Sequence, residues 1–142
     1  MSCVRDIVLD RKLYSAAEGD TVAEVVRKMA DLHVGAILVF DGEELRGVFS
    51  ERDLMKRVVV CRLDPEHTAV RDVMSSAVVT IDELAPIEEA MAAMHANGCR
   101  HLPVMRANRV VGFLSMRDVM DYELARRTDE LHHMRAYVAR SS

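Results

Sequence analysis

The sequence predicts an α+β protein in which two copies of a β-α-β-β-α unit pack about a pseudo-twofold axis. An internal repeat, the same order of helix and strand patterns in each copy, and a mass of only 16.0 kDa lead to that class. Sliding the 142-residue chain by 65 positions lays Gly47-Val48-Phe49-Ser50-Glu51-Arg52-Asp53-Leu54-Met55 over Gly112-Phe113-Leu114-Ser115-Met116-Arg117-Asp118-Val119-Met120. The register holds without a gap back to Thr21 over Pro86 and gives eight identical pairs, Glu24/Glu89, Met29/Met94 and Val39/Val104 among them. Composition alone gives roughly two or three. Upstream, Val4-Arg5-Asp6-Ile7 matches Val70-Arg71-Asp72-Val73 at an offset of 66, so the first copy carries one extra residue in its leading segment.

Each element has a local reason. A short extended segment opens each unit, near Leu13 to Ala16 in the first and from Val78 to Ile81 in the second. Thr21-Val22-Ala23-Glu24 has the form of a capping box, and Val22, Val25, Val26, Met29 and Leu32 follow at helical spacing. In the second copy Pro86 suits a first helical turn, Ile87, Ala90, Met91 and Met94 form the stripe, and Asn97-Gly98 ends it. Ala36 to Phe40 and Leu45 to Phe49 read as strands joined at an Asp41-Gly42 turn. Leu102 to Met105 and Val110 to Leu114 repeat the pair around Arg106-Ala107-Asn108-Arg109. A second helix starts at Ser50 and at Ser115.

One unit of about 60 residues buries too little to stand alone, and two packed together remove that difficulty. The expected division is residues 1–67 for the first repeat, 68–124 for the second and 125–142 for a C-terminal helical extension, with Arg62 to Thr68 as linker. Leu124, Leu131, Met134 and Val138 lie near one face of that last helix, a stripe expected to cover apolar surface on its own subunit or on a partner.

Composition narrows the function. Half the residues are apolar, 30% are charged and the net charge is −4, which gives no bulk electrostatic reason to expect nucleic acid or an anionic membrane as partner. The N-terminus lacks a signal-peptide pattern and no apolar run is long enough to span a bilayer, so a cytoplasmic location is expected. Three cysteines in no Cys-x-x-Cys arrangement suggest neither disulfides nor zinc, and six histidines form no ligand constellation, so no metal site is expected. Cys99 reads as a small core residue, and the ten methionines read mostly as packing. No Walker-type loop, metalloprotease motif or Ser/His/Asp set is present, and no enzymatic activity is expected.

The repeated Gly-x-x-Ser-x-Arg-Asp carries the chemistry. A strand ends and a helix begins at the serine, so free backbone N–H groups and the helix dipole face an anion. The hydroxyl of Ser50 or Ser115 donates to a phosphate oxygen, and Arg52 or Arg117 offers a guanidinium fork. An ionised Asp53 or Asp118 accepts from both hydroxyls of a ribose. Gly47 and Gly112 permit close approach of ligand or neighbouring strand. Ile37, Val78, Leu102 and Pro103 are candidate apolar walls for a base. Ser-x-x-Asp is also a helix capping box, a reading that needs neither the arginine nor the glycine.

Two β-α-β-β-α units ending in this motif, with Arg100-His101-Leu102-Pro103-Val104 in the second, resemble a stand-alone tandem cystathionine-β-synthase (CBS) domain pair, or Bateman module. The resemblance runs from about Val4 to Tyr122. It implies a regulatory, energy-sensing module that binds an adenosyl ligand in clefts between the repeats and works as a homodimer, with no required cofactor. AMP, ADP and ATP are the implied ligands, while NAD(H) and S-adenosylmethionine fit the same ribose chemistry. The implied nucleotide-binding residues are Ser50, Arg52, Asp53, Thr80, Arg100, His101, Pro103, Ser115, Arg117 and Asp118. The regulated partner protein is not specified. A dimeric scaffold with empty clefts is the alternative. Glu51 stands where Met116 stands, and Arg100-His101 corresponds to Gly35-Ala36, so the site around Ser115, Arg117 and Asp118 is expected to be tighter for phosphorylated ligands.

Overall fold

Periodicity in the sequence becomes the same run of elements twice. The structure, a computed structural model, describes residues 2–141. In chain order it contains α1 (Val4–Val8), β1 (Ser15–Ala17), α2 (Val22–Leu32), β2 (Ala36–Asp41), β3 (Glu44–Ser50) and α3 (Glu51–Asp53), which widens into π-helical turns over Leu54–Val59. A 3-10 turn at Val70–Asp72 leads to β4 (Ile81–Asp82), α4 (Ile87–Asn97), β5 (His101–Arg106), β6 (Arg109–Ser115) and α5 (Met116–Ser141). The strands form two three-stranded sheets, ordered β1-β2-β3 and β4-β5-β6. In each, the central strand runs parallel to the first and antiparallel to the third. The α+β architecture of two repeats is as the sequence predicts.

The copies match in detail. Both hairpins shift register at the same place, between Val39 and Phe40 and between Val104 and Met105. This leaves Arg46 and Val111 as the extra residue of a bulge just before Gly47 and Gly112. Gly98 ends α4 in the left-handed conformation (φ 60°), and His33 adopts the same conformation at the end of α2 (φ 56°). Thr21 Oγ1 accepts from the Glu24 amide at 3.2 Å, so half of the expected capping box forms. Pro86 is the cap residue itself rather than a member of the first turn.

One element is shorter than expected. The strand read from Val78 to Ile81 is confined to Ile81–Asp82, which pair with Val104 and Met105. Val78 to Thr80 lie outside the sheet and line clefts instead.

The leading segments cross over. The first core cluster holds α2 and the β1-β2-β3 sheet together with Val70 and Val73; the second holds α4 and the β4-β5-β6 sheet together with Val4, Ile7 and Val8. Each leader thus packs on the other repeat. Backbone bonds fix the exchange symmetrically: Val4 N to Ala85 O at 2.9 Å and Arg5 N to Glu83 O at 2.7 Å, against Val70 N to Asp20 O at 2.8 Å and Arg71 N to Glu18 O at 3.2 Å. The two glycines exist for this contact. A Cβ on Gly112 would stand 2.9 Å from Val8 Cβ, and one on Gly47 would stand 2.7 Å from the Ser75 carbonyl oxygen. The close neighbour is backbone at Gly47 and the Val8 side chain of α1 at Gly112, where the sequence suggested a ligand or a neighbouring strand.

Candidate functional site

The strand-to-helix corner at the end of β3 positions the first copy of the motif. Ser50 is the last residue of β3 and caps α3; its backbone is extended (φ −123°, ψ 166°), which frees the following amides. Asp53 closes a full capping box: Oδ2 accepts from the Ser50 amide at 3.0 Å and from Ser50 Oγ at 3.1 Å, while the Asp53 amide donates back to Oγ at 3.3 Å. Its other oxygen accepts from Ser75 Oγ at 3.0 Å, with Arg57 Nε 3.7 Å away. Asp53 is only 6% exposed, so those contacts offset the cost of burying its charge.

The second copy repeats the cap with a different counterion. Asp118 Oδ2 accepts from the Ser115 amide at 2.9 Å, the Asp118 amide donates to Ser115 Oγ at 3.0 Å, and Arg11 Nη1 lies 2.7 Å from Oδ1. Burial works against ionisation of Asp118, but the Ser115 amide and the Arg11 guanidinium outweigh it and hold the carboxyl below its ordinary range. The capping reading of Ser-x-x-Asp is therefore realised in both copies.

A cleft of about 860 Å³ opens between the repeats. Gly35, Val48, Ser50, Glu51, Arg52 and Asp53 line it from the first repeat, and Met94, His95, Asn97, Gly98, Cys99, Arg100 and His101 from the second. Ser75 and Ala77 to Val79 complete the lining. Arg52 reaches across it, donating from Nη1 to the Gly98 carbonyl at 3.4 Å. The Glu51 amide donates to Gly35 O at 2.9 Å and its carboxylate lies over Gly35; the Met116 amide makes the matching bond to Arg100 O at 2.8 Å. The His101 ring packs on Phe113 with centroids 5.3 Å apart. Burial pushes the His101 pKa below its ordinary value, Asp118 and Glu51 pull it back up, and Arg100 pushes it further down.

The fold brings Ser50, Arg52, Asp53, Arg100 and His101 together. It places Thr80 in a separate cleft of about 400 Å³ with Glu43, Glu44, Arg46 and Asn108. Ser115, Arg117 and Asp118 do not line the large cleft. Pro103, expected on its wall, is buried in β5 opposite Phe113. Ile37 and Leu102, 1% and 0% exposed, are core residues of the central strands, so only Val78 of the four candidate apolar walls faces the large cleft. The charge asymmetry also changes hands: Arg100 and His101 share their cleft with Glu51 and the first motif. Sequence reasoning missed Ser75 and Arg11, the outside partners of the two aspartates, because neither belongs to the repeated pattern. Among the described residues no group of three or more His, Cys, Asp and Glu is arranged to hold a metal, and no helix is long and apolar enough to cross a membrane.

Comparison with known proteins identifies the fold. The CBS domain family matches residues 4–60 and 70–125. An uncharacterized protein of Methanopyrus kandleri is 30% identical over 118 residues, covering 82% of this chain and 60% of that one. The mitochondrial CBS domain-containing protein CBSX3 of Arabidopsis thaliana is 31% identical over 124 residues, covering 84% and 60%. The chain thus spans about 60% of the length of these relatives. A solved protein with CBS domains from Burkholderia ambifaria superposes with a TM-score of 0.84 at 29% identity, covering 87% of this chain and 95% of that one. With two matched repeats and the motif at the same strand-to-helix corner of each, the chain belongs to the CBS domain family as a tandem pair.

Proposed function

We propose that this pair is a regulatory module, not an enzyme, that takes an adenine nucleotide (AMP, ADP or ATP) in the large cleft and passes occupancy through a homodimer to a partner protein in the cytoplasm. The observation that carries the reading is convergence. Ser50, Arg52 and Asp53 from one repeat and Arg100 and His101 from the other line a single cleft of about 860 Å³, a volume within the range of about 300–1,000 Å³ usual for small-molecule sites.

The chemistry follows from what each group offers. Arg52 and Arg100 are exposed cations on opposite walls and meet the phosphates; His101 joins them when protonated. Asp53 takes the ribose hydroxyls in exchange for the Ser50 and Ser75 hydroxyls that it now accepts from. The cap and the ligand site are then two states of one carboxylate. Glu51 opposes phosphate in the same cleft, by of order 1 kcal/mol at physiological salt. That charge is better suited to the sulfonium of S-adenosylmethionine, and NAD(H) presents the same ribose. The completeness of the Asp53 cap favours a second reading, a dimeric scaffold whose cleft stays empty.

Calorimetric titration with AMP, ADP, ATP, NAD and S-adenosylmethionine tests the proposal. Saturable heat with at least one nucleotide, lost when Arg52→Ala and Arg100→Ala are combined at these exposed positions, supports it. No heat from any of the five compounds sinks it and leaves the scaffold.

A further inference from the structure

The end of α5 is patterned for a partner. Tyr122 ties the helix to the body of the fold through its hydroxyl, which donates to Ser2 Oγ at 2.8 Å. From Leu124 to Arg140 every residue of α5 is exposed. Yet Met120, Leu124, Leu131, Met134 and Val138 are large apolar side chains, 62%, 66%, 49%, 66% and 64% exposed. With Arg127 they recur at alternating intervals of four and three. That rhythm is a heptad seam, with Leu124, Leu131 and Val138 at a and Met120, Arg127 and Met134 at d. The CBS match ends at residue 125, so most of the seam lies outside the family fold.

We propose that residues 120–138 of α5 pair with the same segment of a second copy of this chain as a short antiparallel two-stranded coiled coil. Charge complementarity selects both the occupant and the direction. Heptads that run side by side in parallel would oppose Arg127 to Arg127 at one d layer, two like charges in the seam. Run antiparallel about a centre near Asp129, Met120 meets Val138 of the partner subunit, Leu124 meets Met134 of the partner subunit and Arg127 meets Leu131 of the partner subunit. Arg127 then extends along its aliphatic stem to Glu130 of the partner subunit, and Asp121 faces Arg135 of the partner subunit. Each of these pairs occurs twice by symmetry, against a single Glu130 repulsion across the axis. The sequence thus satisfies its own surface in one orientation.

Sedimentation equilibrium on the full chain tests this. The wild type is expected to be a dimer, and Leu131→Glu to raise its dissociation constant at least about tenfold. The melting of the CBS body should change little, because Leu131 belongs to neither core cluster. Arg127→Glu alone and Glu130→Arg alone should each weaken the dimer, and the double variant Arg127→Glu/Glu130→Arg should restore it. A double variant that stays weak overturns the antiparallel direction, since in a parallel pair position 127 faces its own copy and the exchange would set two carboxylates against each other in the seam. A wild type monomeric at about 100 μM overturns the proposal. So does a dimer indifferent to Leu131→Glu, which places the contact on another surface. Nucleotide heats measured on the same variants are read separately, so failure of the coiled coil and failure of the ligand reading are told apart.

Discussion

Arg11 Nη1 stands 2.7 Å from Asp118 Oδ1, so a residue that follows the first leader holds the acid of the second motif. The crossover of the leaders makes this contact, since α1 packs on the second repeat just before the chain reaches Arg11.

Arg11→Ala should therefore raise the Asp118 pKa, read by carboxyl titration in NMR. The folded-state pKa is depressed, so the associated stability is present above the ordinary carboxyl range and is lost as pH falls through the folded value. Arg11 is half exposed, which limits the loss at neutral pH to about 0.2–1 kcal/mol. The difference between wild type and variant should shrink in acid. Melting curves that differ equally at pH 7 and at acid pH would contradict the pairing.

Asp53→Ala should cost more stability than Asp118→Ala. Removing the Asp53 carboxylate orphans the Ser50 amide and the Ser75 hydroxyl in a site only 6% exposed, a loss of about 1–3 kcal/mol. Asp118 is more open to water and its main cation is half exposed. Denaturant midpoints order the two variants, and nucleotide titration well below the melting temperature separates the cap from the ribose role. Asp53→Ala that binds nucleotide normally but melts early leaves only the cap.

Gly47→Ala and Gly112→Ala should each destabilise the fold by about 1–3 kcal/mol through overpacking. The remedies differ. At Gly112 the clash includes Val8 Cγ2 at 2.9 Å, which Val8→Ala removes, so the double variant should recover part of the loss. At Gly47 the nearest atom is the Ser75 carbonyl oxygen, itself fixed by paired bonds to Val48, and no side-chain truncation moves it. Equal behaviour of the two sites in a double-mutant cycle would argue against this contact geometry.

His101 should couple nucleotide binding to pH. Burial holds its folded-state pKa below the ordinary 6.5, so the ring is neutral at pH 7. The unfolded chain binds the proton more readily, so this group's contribution to stability rises with pH through the region at and below 6.5 and is lost in acid. A phosphate in the cleft favours the charged ring. Binding should then draw in protons as pH falls below about 6.5, and His101→Gln should abolish that uptake. Calorimetry in buffers of different ionisation enthalpy reads it directly, and an uptake that persists in His101→Gln would assign it elsewhere.

The repeat was legible because each copy must bury the same faces, so Gly47/Gly112, Ser50/Ser115 and Asp53/Asp118 recur at a fixed offset. The corner geometry at Ser50 was legible for the same reason. Which repeat a leader packs on was not, because an offset of 65 or 66 describes likeness between copies and is silent on contact between them. That silence explains the missed Arg11 and Ser75, and it explains Arg100 and His101 appearing beside Asp53. Pro103 and Leu102 misled differently: a central strand covered on both faces is apolar throughout, so hydrophobic residues near a motif do not reveal which of them face a ligand.

The crossover also sets an order of assembly. α1 is made well before its docking site: its backbone partner Ala85 follows about 80 residues later, and a contact of such separation is slow to close. Until then Val4, Ile7 and Val8 have no surface of their own to cover. The 3-10 turn at Val70–Asp72 meets no such delay, because its docking site on Glu18 and Asp20 is already built. The first repeat can therefore close during synthesis, whereas α1 waits undocked until the second repeat has been made. A ribosome-stalled chain ending before Ala85 should keep α1 sensitive to protease, and one that clears α4 should protect it.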